Sequence, residues 1–476
     1  MPSYTAPGVY IKDLVSPMQT ITLASSSVGA MIGVTQSGVI NYAKKIGSWA
    51  EYIENFANGL ETPFTENSYL PYSVYGFFAN GGQELYVISV KKKAKKAKAT
   101  GEANAITFTA QNEGVWGNLV SVDIKKAEDY DTTKEFYVTV SVGTNDSVVL
   151  TVTLETFADT ILDNFKSKNW IGSIDINSSV TELAEETITL TGGTDGDELA
   201  DNDYINALNC LDSIDDVTMV AIPGQTTKVI DDGLLTYCTN NGLFPMLDMP
   251  RGSTAEDTKA YRKSISAFTG EIAYPWGKMN DPLTNKLKAV PTCGHLMGLY
   301  AKTIEARGVH KAPAGTEAVI RGFIEMETQI TPAQLSTLNP IGVICIMSRP
   351  NAGIVSWGAR SLNSQDTTMR YVTDGLLNLA IKRSLYNGTQ FAVFEPNDEK
   401  LWKRVKSTCL SFLEYLRQEG SLRGTAEQAY YVIVDETNNT DYTIAEGQLN
   451  IEIGYAPVKP AEFVIIKLAH SIVSQT

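Results

Sequence analysis

Histidine and cysteine are scarce in this chain, with three of the former and five of the latter among 476 residues. His295, His310 and His470 are scattered without ligand spacing, and Cys210, Cys238, Cys293, Cys345 and Cys409 include no C-x-x-C pair. An odd count at irregular spacing argues against a disulfide framework. A zinc site or a histidine-based catalytic centre has little to work with. Positive charge is also in deficit: 39 Lys and Arg stand against 54 Asp and Glu, a net charge of -15. Binding a phosphate polymer needs a positive surface, so bulk electrostatics argue against nucleic acid as a partner. No run of about 18 apolar residues occurs, which excludes a transmembrane helix. The first residues lack the basic and apolar regions of a secretory signal. The expectation is synthesis in the cytoplasm, without Sec-type export and without direct membrane contact.

The signatures of common chemistries are missing as well. There is no G-x-G-x-x-G after a strand, no Walker loop, no G-x-S-x-G and no H-E-x-x-H. That shifts weight toward a binding or structural role.

What remains is ordinary globular composition, 43% hydrophobic and 20% charged, in a length that suits about three domains. SYTAPGVYIKDL (3–14) reads as a short strand, Val9, Tyr10 and Ile11, launched from the turn at Pro7 and Gly8. A strand so close to the N-terminus has no local partner. Up to residue 90 the pattern is strand (28–35), helix (48–56), helix (68–79) and strand (83–90). From 104 to 195 the texture changes to short alternating strands rich in Val, Thr and Ile, interrupted by a helix at 157–166. From 202 helices and buried strands alternate: VTMVAIPG, then a helix closed by Gly242, LFPMLDMP, a helix with a serine cap, and EIAYPWG. That alternation predicts an α/β sheet with parallel strands. The last section predicts strands in GVICIMS and AGIVSWGARSL, a long helix, a strand in TQFAVFEPN, an amphipathic helix over 398–420 and three closing strands. In the amphipathic helix Leu401, Val405, Cys409, Phe412 and Leu416 share one face, with Lys400, Lys403 and Arg404 on another.

Four stretches invite a functional reading, and each has a plainer one. The lysine run KKKAKKAK (91–98) reads as a solvated domain boundary rather than a nucleic-acid or lipid patch, given the overall acidity. TGGTDGDELADND (191–203) lacks the D-x-D-x-D-G spacing of a calcium loop and reads as a boundary turn. IPGQTTKV lies at a strand end, where α/β proteins bind ligands, yet it has no G-K-[ST] ending. Asp248 at the next strand end fits a catalytic carboxylate on position alone, and a satisfied loop carboxylate or helix cap is the preferred reading. A small-molecule enzyme working at this crevice stays open as the remote alternative.

Several blocks, in order, resemble the contractile tail sheath proteins of contractile-tailed bacteriophages and phage-derived bacteriocins. They are APGVYIKDL (6–14), GAMIGVTQSG (29–38), YGFFANGGQELYVISV (75–90), VAIPGQT (220–226), LDMPRG (247–252), AYPWGKM (273–279) and GLYAKTIEARGVHKAPAG (298–315). NPIGVICI (339–346), VSWGARSL (355–362), FEPN (394–397) and GQLNIEIGYAPVKPAEFVIIKLAH (447–470) continue the series. The resemblance covers most of 1–90 and 217–470, and GVWGNLVSVDI (114–124) resembles the insert of sheaths from Gram-positive hosts.

The resemblance implies a non-enzymatic, cofactor-free and metal-free structural subunit, made in a bacterial host's cytoplasm and assembled in a virion tail or extracellular contractile particle. Such subunits form stacked hexameric rings around an inner tube and contract to drive it through the target envelope. Implied partners are further copies of the chain, the tail tube protein, and baseplate and tail terminator proteins. The fold class is α/β and α+β multidomain. A strand-donating arm (1–24) precedes an α/β sheath domain (25–95 with 200–344) that carries an inserted mainly-β outer domain (96–199). A C-terminal tube-proximal α+β domain (345–461) and a C-terminal arm (462–476) follow. Val9, Tyr10, Ile11, Phe463, Val464, Ile465 and Ile466 become candidates for inter-subunit strand exchange, with Pro7 and Gly8 as the arm's bend. Phe463, Ile465 and Lys467 alternate as one strand face would. Lys382, Arg383, Lys400, Lys403 and Arg404 become candidates for tube contact, against the plainer reading of a solvated helix face. A bacteriocin or other injection particle remains the alternative to a phage.

Overall fold

The structure is a computed structural model that describes residues 20–57, 59–146, 149–165, 168 and 170–466. Pro7, Gly8, Val9, Tyr10, Ile11 and Lys467 lie outside the described residues. The chain divides into two compact units, one built on 25–379 with 459–466 and one on 20–24 with 380–458.

The larger unit is organised by an eight-stranded sheet. Its strands are β1 (Gly29–Gly33), β2 (Ala43–Ile46), β3 (Leu85–Ser89), β4 (Met219–Ala221), β5 (Phe244–Asp248), β6 (Glu271–Tyr274), β7 (Val343–Arg349) and β8 (Gly353–Ser356). They lie in the order β8-β7-β6-β5-β4-β1-β3-β2. The six inner strands are parallel, and β2 and β8 close the edges antiparallel. Every residue of β1, β4, β5 and β6 is buried. Covering both faces of a parallel sheet demands such unbroken apolar runs.

Helices α1 (Leu70–Ala79), α2 (Lys228–Asn241) and α3 (Cys293–Arg307) pack on this sheet. Ala30, Ile32 and Val220 share a core with Ile230, Leu234 and Leu235 of α2. On the opposite face α3 presses close: a Cβ at Gly29 would stand 2.3 Å from the Met297 sulfur. Helices α1 and α3 meet backbone to backbone. A Cβ at Gly294 would lie 2.4 Å from the Ser73 carbonyl oxygen, and one at Gly298 2.2 Å from that of Phe77.

Helix ends follow local chemistry. Thr227 accepts a hydrogen bond from Ile230 N to open α2, and Gly242, at φ 65°, closes it in the left-handed region that glycine tolerates. The helix Ala255–Lys263 is capped by Thr254 rather than by Ser253 as the sequence suggested, because Asp257 completes a reciprocal pair with Thr254.

Residues 98–189 carry two antiparallel sheets and the helix Phe157–Phe165 around a core of their own that includes Phe108, Trp116, Phe136, Val140 and Phe157.

The sequence set a domain boundary at residue 345, but the compact units part between Leu379 and Ala380. The reason is β7, which pairs parallel with β6 from Val343 through Cys345 and so belongs to the large sheet. The smaller unit holds the end of α4 (Val372–Gly388), the amphipathic α5 (Glu399–Gln418), and a two-stranded antiparallel sheet of β9 (Tyr430–Ile433) and β10 (Glu452–Tyr455). Leu401, Val405, Cys409, Phe412 and Leu416 of α5 are all buried, as their spacing required. The strand expected in TQFAVFEPN is instead a 3-10 turn, Gln390–Ala392, followed by Phe394 at φ 65°. A left-handed phenylalanine cannot continue a pleat.

Candidate functional site

The segment that leads into the C-terminal end is clamped to the larger unit. Lys459 Nζ lies 2.7 Å from Asp374 Oδ2 and donates to the Thr368 carbonyl at 3.2 Å. Three residues on, Glu462 receives a bidentate pair from Arg360, Nε at 2.9 Å and Nη2 at 2.8 Å. Tyr371 Oη donates to the same carboxylate at 3.2 Å, and Asn339 Nδ2 also donates to it. Burial pushes the Glu462 carboxyl up, but the bonds from Arg360 and Asn339 outweigh it and hold the group below its ordinary value. Immediately beyond, Phe463, Val464, Ile465 and Ile466 are 72%, 82%, 81% and 77% exposed and make no ladder among the described residues. Four consecutive apolar residues in the open, next to a fixed ion pair, have the composition of a strand segment.

The other described end is fixed within the smaller unit. Ile21 is buried, and a Cβ at Gly388 would sit 2.4 Å from its Cγ1. Ala24 N donates to Ser384 Oγ at 2.8 Å. The same unit carries the sheet β9–β10, which consists of two strands only among the described residues.

The five basic candidates all fall in the smaller unit. Lys382 is exposed and Arg383 half-buried on α4, which runs on to Gly388. Lys400, Lys403 and Arg404 are exposed on α5, opposite its buried face. Lys403 pairs with Glu399 at 3.0 Å, and the Arg404 guanidinium lies 4.6 Å from the Phe391 ring centroid.

At the crevice beside IPGQTTKV, Asp248 is a cap. It accepts hydrogen bonds from Thr292 N at 3.0 Å, Cys293 N at 2.9 Å and Gly224 N at 3.4 Å, at the start of α3. It is buried, and desolvation raises its carboxyl against those bonds. Two more buried acids lie nearby in the fold. Asp231 accepts from Tyr261 Oη at 2.6 Å, and burial brings it up to about 7. Glu271 accepts from Tyr300 Oη, and burial brings it up to about 8. His295 is sealed in the core, stacked on Phe323 at 4.0 Å, and desolvation depresses it to about 3. His310 is half-buried, well apart in sequence from these acids. Among the described residues no three His, Cys, Asp or Glu side chains converge as metal ligands, and no helix is long and apolar enough to cross a membrane.

Sequence reading missed that the lysine run and the acidic glycine-rich stretch are partners. Lys95 and Lys98 bridge antiparallel to Thr194 and Thr191. Lys91 meets Asp195 at 2.7 Å, Lys92 meets Asp203 at 2.9 Å and Lys93 meets Asp197 at 2.9 Å. The Lys91 side chain is 1% exposed and also donates to the Gln36 carbonyl at 2.9 Å. The two stretches form the root of the β-rich segment. Their opposite charge at its two ends was the available signal.

Comparison with known proteins gives this geometry a family. The model of the phage tail sheath protein central domain matches residues 198–362, and that of the phage tail sheath C-terminal domain matches residues 364–469. The tail sheath proteins of Vibrio phage KVP40 and Salmonella phage ViI are each 21% identical, over 64% and 66% of this chain. That of Escherichia phage P2 is 23% identical over 59% of this chain and 70% of its own. The chain spans about half the length of the first two, 44% and 49%. Among solved structures, the contracted helical sheath of the anti-feeding prophage matches with a TM-score of 0.63 at 21% identity, over 98% of this chain and 100% of the other. A sheath tail protein from Desulfitobacterium hafniense matches with a TM-score of 0.64 at 14% identity, over 90% and 94%. Two sheath domain models, matched in chain order across more than half of the residues, establish that the chain belongs to the phage tail sheath protein family.

Proposed function

We propose that this chain is the repeating subunit of a contractile tail sheath. It polymerises as stacked hexameric rings around an inner tube, and contraction of the polymer drives the tube through the envelope of a target cell. The observation that carries this reading is the pair of sheath domain matches covering residues 198–362 and 364–469. The reading assigns the chain no catalysis, and the caps and core contacts that occupy Asp248 and His295 are in keeping with that.

Two features support the assembly. Phe463–Ile466 is an apolar segment exposed just past the Glu462 clamp, suited to completing another subunit's sheet. The sheet β9–β10 has two strands, and a two-stranded ribbon is marginal alone. Added strands from neighbouring subunits would stabilise it, so we take its edges as the receivers of the arms. The N-terminal strand Val9, Tyr10 and Ile11 acts in the same way, with Pro7 and Gly8 as its bend. Arms that stay paired with neighbouring subunits let the remaining units rotate, and contraction then requires only a lower-energy packing of unchanged subunits.

The tail tube, baseplate and tail terminator are the other partners of this reading, with Lys382, Arg383, Lys400, Lys403 and Arg404 as tube-facing candidates. A sheath from a phage-like bacteriocin or extracellular injection particle is the second reading. It is favoured by the full-length match to the contracted sheath complex of the extracellular contractile injection system PVC, 100% of both chains with a TM-score of 0.62. Removal of residues 1–19 tests the strand exchange. Loss of polymer with unchanged thermal unfolding supports it, and normal polymer excludes the N-terminal arm from assembly.

A further inference from the structure

Neither ring nitrogen of His295 has a hydrogen-bond partner among the described residues, and the side chain is fully buried. Three segments enclose it. Its own helix α3 lies so close to α1 that a Cβ at Gly76 would overlap the ring at Nδ1. Phe323 stacks on the ring, with centroids 4.0 Å apart. Gly322, at φ 100°, lies over Nε2, where a Cβ would stand 3.1 Å away. Arg321 and Gly322 are themselves exposed, so this loop is the thin side of the enclosure.

Burial keeps the imidazole neutral and depresses it to about 3. The titratable groups around it are engaged elsewhere. On α1 Tyr72 donates to Asp281, and Tyr75 packs edge-on against Trp49. On α3 Cys293 lies beside Asp248, Tyr300 donates to Glu271, and Lys302 stands about two turns further on. Beyond the loop Glu325 pairs with Lys278 at 2.8 Å. The loop itself is fastened by Asn80, the residue that ends α1. Asn80 Nδ2 donates to the Arg321 carbonyl at 3.0 Å and to the Gly76 carbonyl at 2.8 Å, and Oδ1 accepts from Arg321 N at 2.7 Å.

We propose that residues 321–323 form an acid-released latch: the loop lifts off His295 as the ring takes up a proton, while α1 and α3 stay packed. The helices meet backbone to backbone at Gly294 and Gly298, whereas the loop is held by one side chain, so the loop is the easier part to move. Once open, the ring meets water and titrates at its ordinary value of about 6.5. The closed loop is therefore fully stable above that value, and its stability declines as pH falls toward 3. The latch lies between two strand-like contacts. Ile320 N donates to the Ile354 carbonyl of β8 at 2.9 Å, and Ile324 N to the Lys278 carbonyl at 2.8 Å. Val319 bridges Val355 antiparallel, so the opening reaches the outer edge of β8.

Hydrogen exchange of the full chain at pH 7 and pH 5, corrected for the intrinsic rate at each pH, tests the latch. Protection of the amides in 320–324 is expected to fall about 25-fold between the two, the ratio set by an open-state value of about 6.5. Peptides from α1 and α3 are expected to keep their protection. His295→Gln removes the titration and is expected to hold the loop's protection constant, which separates the latch from His310 and the carboxylates. Asn80→Ala keeps the histidine, so it is expected to lower the loop's protection at both pH values and to leave the ratio in place. Wild-type protection that does not change with pH overturns the proposal. So does an equal fall in His295→Gln, or loss of protection in α1 and α3 in step with the loop. Should His295→Gln fail to fold, Asn80→Ala decides, and a ratio near one in that variant overturns the latch. None of these readings depends on polymer, so the sheath reading stands or falls separately.

Discussion

Arg360 holds Glu462 through one guanidinium edge, Nε at 2.9 Å and Nη2 at 2.8 Å, at the last residue before the exposed strip Phe463–Ile466. The pair ties the stretch after β8 to the residue that precedes Phe463–Ile466. Glu462→Gln is expected to lower the stability of the larger unit by about 1–3 kcal/mol, the scale of hydrogen bonds to a charged group. Because the folded carboxyl is held below 4.5, this contribution is present above that pH and lost as pH falls. Urea unfolding at neutral pH and near pH 4 checks both, with the wild-type advantage expected to be smaller at the lower value.

Glu271 works in the opposite direction. Burial raises its carboxyl to about 8, so the folded chain holds a proton that the unfolded chain releases near 4.5. Stability from this group is full below about 4.5 and declines as pH rises through about 8. Glu271→Gln keeps an acceptor for Tyr300 and removes the titration. The difference in unfolding free energy between variant and wild type is expected to grow in the variant's favour from pH 5 to pH 8.5, and a constant difference would count against a buried neutral acid.

Gly298 sets the distance between α1 and α3. With the Phe77 carbonyl oxygen 2.2 Å from a would-be Cβ, Gly298→Ala must push two helices apart. A loss of about 1–3 kcal/mol or more is expected from overpacking. Thermal unfolding measures it, and Gly252→Ala supplies a contrast with open space at its Cβ but a φ of 75°.

The root of the β-rich segment offers two ion pairs of unequal burial. Asp195→Asn leaves the Lys91 ammonium, 1% exposed, without its counter-charge, and is expected to cost about 2 kcal/mol. Asp197→Asn breaks the exposed pair with Lys93 and is expected to cost no more than about 0.5 kcal/mol. Equal effects would show that burial of Lys91 is not what fixes the root.

Much of this architecture was legible because local chemistry decided it. The period of Leu401, Val405, Cys409, Phe412 and Leu416 required one buried helix face, and Gly242 marked a helix end that only a left-handed residue closes. What escaped depends on distance or on absent partners. The lysine run and the acidic stretch lie about a hundred residues apart, and nothing local in either states that Lys91 and Asp195 meet. FAVFEPN alternates like a strand, but the left-handed Phe394 overrides the pattern. Phe463–Ile466 has a strand's composition without a ladder among the described residues, since a strand forms only where an edge receives it.

Electron microscopy of the purified full-length chain at high concentration tests the central claim most directly. The account predicts long tubes of a single diameter with hexameric rings in axial projection. A uniformly monomeric protein under the same conditions would contradict it.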